Sequence, residues 1–461
     1  MKYVAEACGG DLLQGSPEAL VARVCTDSRQ AQAGDLFFAL SGERFDGHNF
    51  VAEVARKNVA AVVVNRQRLS GAVSGAAVIA VENPRQALGA LAARYRRDFD
   101  LPVVAVGGSN GKTTTKELLA AVLAQKFVTL RSEASFNNDV GVPVTLLQLE
   151  ARHRAAVLEV GTNHPGELAP LVRMVRPRFG VITSIGNEHL EFFGDLAGVA
   201  LEEGWLAELL PGDGKLFVNG DSAAAAGIVA RTSARVERAG CGADCDWRAD
   251  DVRVDFGGTK FRVMAARSEF NGEYWLQLLG RHQAVNALLA LAVGAELGLD
   301  REQLQRGLAA CPPPKMRLQT WQVNGVRVLD DAYNANADSM RAALQTLRDL
   351  PCAGRRVAVL GDMGELGRHG CDAHEQVGRW AAELGVEQLF AVGSMAAVMV
   401  AAARAAGLKE TTEIGNVEEA AEMVKRFVKP GDLVLFKASR AARLERIGNV
   451  LRSSGEQAGQ S

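Results

Sequence analysis

The chain has 461 residues, 48% of them hydrophobic and 23% charged, with a formal net charge of -2. That length exceeds a single hydrophobic core, so roughly two to four domains are expected. A near-neutral chain with no long run of Lys or Arg lacks the basic face that broad nucleic-acid binding requires.

The seven cysteines are scattered and odd in number, which suits a reducing compartment. Cys241 and Cys245 form the one close pair, without a second pair at zinc-site spacing. Asp11 falls where a signal peptide needs an apolar run, and the most apolar stretch, 389–403, is too short to span a bilayer. A cytoplasmic protein is expected.

In chain order, residues 1–84 mix short apolar runs at 60–65 and 77–81 with turn signals, the pattern of a small α/β domain. Asn83-Pro84 breaks the chain, and 85–98 reads as a helix. From Val103 onward, strands expected at 103–106, 155–160, 180–185 and 215–219 alternate with helical patterns. Such alternation indicates a mostly parallel sheet covered on both faces. Pro312-Pro313-Pro314 forms a stiff linker.

The last third repeats the pattern. Strands are expected at 326–330, 356–360, 388–392 and 433–437, with helices at about 339–350, 373–384, 395–406 and 417–427. This resembles a dinucleotide-binding topology, but no G-x-G-x-x-G follows its first strand, so a nicotinamide cofactor is disfavoured. Polar residues 453–461 are expected to fray. The fold expected is therefore α/β in three domains: a small α/β N-terminal domain at 1–84, a central P-loop-type mononucleotide-binding domain with a mostly parallel sheet at 85–313, and a Rossmann-like C-terminal domain at 314–461.

The strongest local signal is the run Val106-Gly107-Gly108-Ser109-Asn110-Gly111-Lys112-Thr113, where a buried strand enters a glycine-rich turn and then a helix expected over 115–126. Backbone N–H groups of such a turn close around phosphate oxygens, and the helix N-terminus favours their charge. Lys112 reaches the β- and γ-phosphates, and the Thr113 hydroxyl suits Mg²⁺. Val106 replaces the first Gly of the usual pattern, leaving the shorter Gly108-x-x-Gly111-Lys112-Thr113. A plain strand-to-helix turn is the competing reading, and it does not explain Gly-Lys-Thr in this context.

Glu159 ends an apolar strand, and His189 follows another, in Gly186-Asn187-Glu188-His189. ATP chemistry needs Mg²⁺, for which carboxylates are the usual protein ligands. Taken singly, Glu159 reads equally well as a cap or a surface ion pair, and His189 as a packing residue.

Taken in order, the motifs resemble the Mur ligase family. They are the loop 108–113, Asn137-Asn138-Asp139-Val140-Gly141-Val142-Pro143, Glu159-Val160-Gly161, His189, Gly280-Arg281-His282-x-x-x-Asn286-Ala287, Arg317, and Asp330-Asp331-Ala332-Tyr333-Asn334-Ala335-Asn336. The resemblance spans nearly the whole chain. Asp330 to Met340, Gly361 to Gly367 and Lys437-Ala438-Ser439-Arg440 are most similar to the member that adds D-alanyl-D-alanine to a UDP-N-acetylmuramoyl tripeptide.

The resemblance implies ATP as cosubstrate, held by Gly107, Gly108, Ser109, Asn110, Gly111, Lys112 and Thr113. Asn138 is implied near the γ-phosphate, Asn286 at adenine, Arg317 at the phosphates and Asp331 at the ribose. Lys112, His189 and Arg317 carry the catalytic expectation. Thr113, Glu159 and His189 would serve Mg²⁺, joined by Glu203. That glutamate stands where the family commonly carries a CO₂-modified lysine, and it is expected to supply the second-metal charge without CO₂. Ser28 and Arg29 are expected at the uridine nucleotide, although turn and cap roles compete. Asn334, Asn336, Lys437, Ser439 and Arg440 are expected at D-Ala-D-Ala.

The expected partners are these small molecules alone, with no nucleic acid, no membrane insertion and a monomeric state. Rival readings are another Mur-type amide ligase (diaminopimelate- or lysine-adding, or folylpolyglutamate synthase) and a non-catalytic P-loop ATP-binding partner protein. The absence of an Asp-Asn-Pro-Arg segment lowers the diaminopimelate-adding option.

Overall fold

The computed structural model describes residues 1–42, 45–69, 71 and 73–458. Three α/β sheets follow one another along the chain. The first has five strands in the spatial order Asp11–Gln14, Ala77–Val81, Ala61–Asn65, Asp35–Phe38 and Arg23–Cys25. All its pairings are parallel except that of the edge strand Asp11–Gln14. Side chains alternate between faces, so Leu36, Phe38 and Ile79 build one core while Phe37, Val62 and Val64 build the other.

The helix Pro84–Arg96 follows. The Asn83 side chain accepts the Arg85 and Gln86 amides, and Pro84 takes the first helical position. Ala87, Leu88 and Leu91 enter the N-terminal core, whereas Ala92 enters the next one. Buried Arg96 donates to the carbonyls of Val175 at 3.0 Å and Phe99 at 2.7 Å. The helix after the expected boundary at 84 thus belongs to both cores.

The middle sheet has nine strands, in the order Gly272–Leu276, Gly258–Ala265, Trp247–Asp255, Arg235–Gly240, Lys215–Asn219, Phe179–Ile182, Val103–Gly107, Ala155–Glu159 and Thr129–Arg131. The four strands expected here are all present. The sheet also extends through Arg235–Gly240 into an antiparallel meander over 247–276 that the sequence reading lacked. The helices Lys112–Leu123, His282–Glu296 and Arg301–Ala310 cover one face, with Leu118, Leu288, Leu291 and Leu304 wholly buried. Asp300 and Gln303 form a reciprocal capping box at the start of the last.

The C-terminal sheet has six strands, in the order Gln319–Val323, Val326–Asp330, Leu433–Lys437, Arg356–Gly361, Gln388–Val392 and Thr411–Ile414, parallel except for the first pair. Its expected strands and helices recur within a few residues. The tail differs: the last helix, Glu445–Ala458, continues past Ser453, where fraying is expected, and residues 459–461 lie outside the described residues. Leu190, Val199 and Leu279 of the middle domain share one hydrophobic cluster with Leu344, Leu360 and Leu389 of the C-terminal domain. Among the described residues no helix is long and apolar enough to cross a membrane, and the seven cysteines are unpaired.

Leu291→Ala removes a fully buried side chain from the helix that backs the middle sheet. It should destabilise that domain by about 2–5 kcal/mol, read as a lowered midpoint of the middle-domain transition in calorimetry.

Candidate active site

The strand Val103–Gly107 lies between Phe179–Ile182 and Ala155–Glu159, all parallel, so three carboxyl ends meet at one sheet edge. Gly108 and Gly111 adopt φ of 107° and 87°. A Cβ would come within 2.6 Å of Thr183 Oγ1 at Gly108, and within 2.7 Å of Asn286 Oδ1 at Gly111. Only glycine serves at either position. The Ser109 amide donates to Ser184 O at 2.6 Å and the Asn110 amide to Ser184 Oγ at 3.2 Å, and the helix Lys112–Leu123 starts directly behind the turn. Its N-terminus therefore points out of the sheet edge.

Charges are packed tightly around this turn. The Lys112 ammonium donates to the Gly108 and Ser109 carbonyls and lies 3.4 Å from Glu188 Oε2. Burial alone would pull the Lys112 pKa down, but Glu188, Glu203 and Glu159 outweigh it and the net shift is upward. Lys116, one helical turn further, is wholly buried and donates to the carbonyls of Ser132 at 2.8 Å and Ala134 at 2.5 Å. Glu159 is also buried: its Oε1 accepts from Asn137 Nδ2 at 2.9 Å, while Oε2 has no hydrogen-bond partner.

Glu203 stands apart from the other three candidate metal donors. It is wholly buried behind the turn, where Oε2 accepts the Gly108 amide at 2.6 Å, and it does not line the cavity in front. Burial pushes its carboxyl up to about 7, with Lys112 opposing and Glu188 adding to the shift.

The facing wall comes from the C-terminal domain. Arg317 sits between Met316 and Leu318, both with positive φ, in a sharp turn that carries its guanidinium to 3.3 Å from Thr113 Oγ1. The Tyr333 ring lies under it, 4.5 Å from the guanidinium carbon, and the Tyr333 hydroxyl pairs with Ser135 Oγ at 2.7 Å. Neighbouring parallel strands bring Lys437 Nζ to 2.6 Å from Asp331 Oδ2 and 3.1 Å from Asn334 O. Asn336 caps the helix Ala337–Asp349 and donates to Asn110 Oδ1 at 3.0 Å, while Asp338 accepts the Asn187 amide at 3.0 Å. His189, itself at positive φ, pairs through Nδ1 with Glu365, also at positive φ.

Between the two walls is a cavity of about 430 Å³. Ser109 to Thr113, Asn138, Glu159, His189, Asn286, Arg317, Asp331, Asn334, Asn336 and Lys437 all line it. Gly107 and Gly108 lie just behind. Ser439 is turned away, donating to Asp362 O at 2.7 Å, and Arg440 is exposed and paired with Glu445 at 3.0 Å. Ser28 and Arg29 lie on the N-terminal domain, outside this cavity. Arg29 is fixed there in a two-point pair with Asp27, at 2.9 and 2.7 Å.

Sequence reasoning gave no role to Glu188, Lys116, Asn137, Tyr333, Asp338 or His282. Desolvation, above all, pulls the His282 imidazolium down to about 4, with Lys437 lowering it and Asp331 raising it. The signal for Lys116 was its i+4 spacing from Lys112, and that for Glu188 its place beside His189.

The donor chemistry fits Mg²⁺. Glu159 Oε2 is a buried carboxylate oxygen with no hydrogen bond and only a 3.9 Å ion pair with Lys116, and Glu159 lines the same cavity as Thr113, Glu188 and His189. Among the described residues no three His, Cys, Asp or Glu come together as a group that could hold a metal ion by themselves, so a hard cation here would rely on the phosphate oxygens and waters it arrives with.

Residues 106–294 match a family model for the Mur ligase middle domain, 316–440 one for the Mur ligase glutamate ligase domain, and 21–96 one for the Mur ligase family catalytic domain. The chain is 34% identical over 450 residues to UDP-N-acetylmuramoyl-tripeptide--D-alanyl-D-alanine ligase of Bacillus subtilis, covering 97% of each. It is 35% identical over 454 residues to the enzyme of that name in Escherichia coli, covering 96% of each. The crystal structure of MurF from Acinetobacter baumannii superposes with a TM-score of 0.90 at 32% identity, covering 98% of both chains. That of MurF ligase from Thermotoga maritima in complex with ADP gives 0.82 at 27% identity, covering 96% of this chain and 99% of that one.

Gly111→Ala places a methyl group against Asn286 and demands positive φ. The strain of about 1–3 kcal/mol should weaken nucleotide binding tenfold or more in calorimetric titration, with secondary structure unchanged by circular dichroism.

Proposed function

The chain belongs to the Mur ligase family, and from that premise we propose that it adds D-alanyl-D-alanine to a UDP-N-acetylmuramoyl tripeptide in the cytoplasm, at the expense of ATP, for peptidoglycan synthesis. The observation that carries this reading is the cavity where the phosphate turn, Glu159 and Arg317 face one another, in a chain alike over 96–97% of its length to UDP-N-acetylmuramoyl-tripeptide--D-alanyl-D-alanine ligases.

A carboxylate is a poor acyl donor because its leaving group would be oxide. The tripeptide carboxylate oxygen therefore attacks the γ-phosphorus of ATP, releasing ADP and forming an acyl phosphate. The dipeptide amine then attacks the acyl carbon, the carbon–oxygen bond to phosphate breaks, and the amine proton leaves to solvent or base. Lys112 and Arg317 stabilise charge developing on the transferring group, and the amides of Gly111, Lys112 and Thr113 at the helix start hold the remaining phosphates. Thr113, Glu159 and His189 would hold Mg²⁺, which when bound offsets phosphate charge. Glu203, set behind the turn and outside the cavity, shapes the turn by accepting the Gly108 amide.

We assign Asn286 to adenine, Asp331 to the ribose and Asn138 to the γ-phosphate. Asn334, Asn336 and Lys437 go to the incoming dipeptide, with Ser439 and Arg440 supporting that strand end. Ser28 and Arg29 go to the uridine nucleotide. The working units are 1–84 for the nucleotide-linked peptide, 85–313 for ATP and 314–461 for the dipeptide, acting as a monomer.

A panel of UDP-muramoyl peptides against D-Ala-D-Ala, L-amino acids and glutamate, read by phosphate release, tests this directly. Release only with the tripeptide and D-Ala-D-Ala together is expected; release with glutamate or diaminopimelate instead would reassign the substrate. Lys112→Ala should lower turnover about 10²–10³-fold, the scale of losing one transition-state donor, with the fold intact. Wild-type activity should fall as pH drops below about 7, where Glu203 takes up a proton, and added bicarbonate should not restore it, because Glu203 needs no CO₂ adduct; Glu203→Gln should be severely impaired.

A further inference from the structure

Glu188 follows the strand Phe179–Ile182, directly before His189, and is 9% exposed on the cavity wall. Lys112 Nζ lies 3.4 Å and His189 Nε2 3.9 Å from its carboxylate, whereas the Nδ1 of the same imidazole is taken by Glu365. Lys112 in turn has three acceptors: the Gly108 and Ser109 carbonyls and Glu188. An ammonium has three donor hydrogens, so all three are committed before any phosphate arrives.

Engaging a phosphate oxygen requires Lys112 to give up one acceptor, and Glu188 is the longest of its three contacts. A carboxylate left without its cation in so closed a place costs several kcal/mol unless another cation takes over. Glu159, which lines the same cavity, already has a buried oxygen that makes no hydrogen bond and only a long, 3.9 Å ion pair with Lys116. Two carboxylates then face one space with unmet demand for positive charge, which a divalent cation satisfies better than another ammonium because it takes six oxygen ligands.

We propose that Glu188 is a metal-binding carboxylate of this site: the counter-ion of Lys112 in the nucleotide-free enzyme, and a ligand of the divalent cation once Lys112 has turned to the phosphates. This rests on the ATP-binding reading above. The competing idea makes Glu188 only a rival of phosphate for Lys112, and it predicts the opposite sign, since its removal would then tighten nucleotide binding and leave the metal untouched.

Mn²⁺ is the probe, titrated into the full-length protein with saturating ADP and followed by the loss of the free Mn²⁺ paramagnetic resonance signal. Glu188→Gln keeps the shape of the side chain, and Glu188→Asp keeps its charge. The dissociation constant for Mn²⁺ should rise about 10- to 100-fold in Glu188→Gln, the range for a displaced metal partner, and less in Glu188→Asp. ADP affinity without divalent metal should not fall in either variant. Unchanged Mn²⁺ affinity in Glu188→Gln, or a wild-type ADP complex that holds no Mn²⁺, would overturn the assignment. A wild type that holds Mn²⁺ with ADP, loses it in Glu188→Gln, but releases no phosphate with any peptide pair would support the assignment and fault the ligase reading alone.

Discussion

Everything at the sheet edge is arranged around one constraint: Lys112 must stay charged while shut away from water. Its neighbours achieve this by enclosing it with carboxylates on three sides, Glu188 in front, Glu203 behind and Glu159 beyond, which together outweigh the cost of burial. The same carboxylates then need positive charge of their own. Lys116 meets part of that need, 3.9 Å from Glu159 and anchored on two carbonyls. The turn amides meet another part through Gly108. What demand for positive charge is left at these carboxylates is of the kind that a divalent cation meets with its several oxygen ligands.

The phosphate turn and the parallel strands were legible because burial on both faces writes itself as uninterrupted apolar sequence. The run Val103 to Val106 and the run Leu433 to Phe436 admit few other readings. The meander over 247–276 escaped for the converse reason. Its strands alternate Arg248, Asp250, Arg253 and Asp255, or Lys260 and Arg262, with partly buried residues, because one face is open to solvent. The short edge strands Thr129–Arg131 and Thr411–Ile414 carry too few residues to show a period. Within the site, residues on the turn or at strand ends could be found from sequence. Tyr333 could not, since its role depends on which loop from another element arrives opposite, and Glu188 showed only in its place beside His189.

The middle and C-terminal domains share a hydrophobic cluster, and their contact is continued by polar pairs that land on the phosphate turn itself, Asn336 on Asn110 and Arg317 on Thr113. Asn110, Thr113 and Arg317 also line the cavity. The interface and the phosphate pocket are therefore built in part from the same side chains.

The helix Pro84–Arg96 joins the other two domains in a different manner. One side of it is embedded in the N-terminal core, Ala92 is embedded in the middle core, and Arg96 is tied to the carbonyl of Val175. A helix held in this way acts as a splint, fixing the span between the N-terminal domain and the phosphate turn. On the proposed placement of the acceptor's uridine end in the N-terminal domain, that span would act as a gauge of peptide length. A chain one residue short would leave its carboxylate below the γ-phosphate, and one residue too many would carry it past. Discrimination of this kind needs no pocket for the peptide's side chains, only a frame that does not stretch.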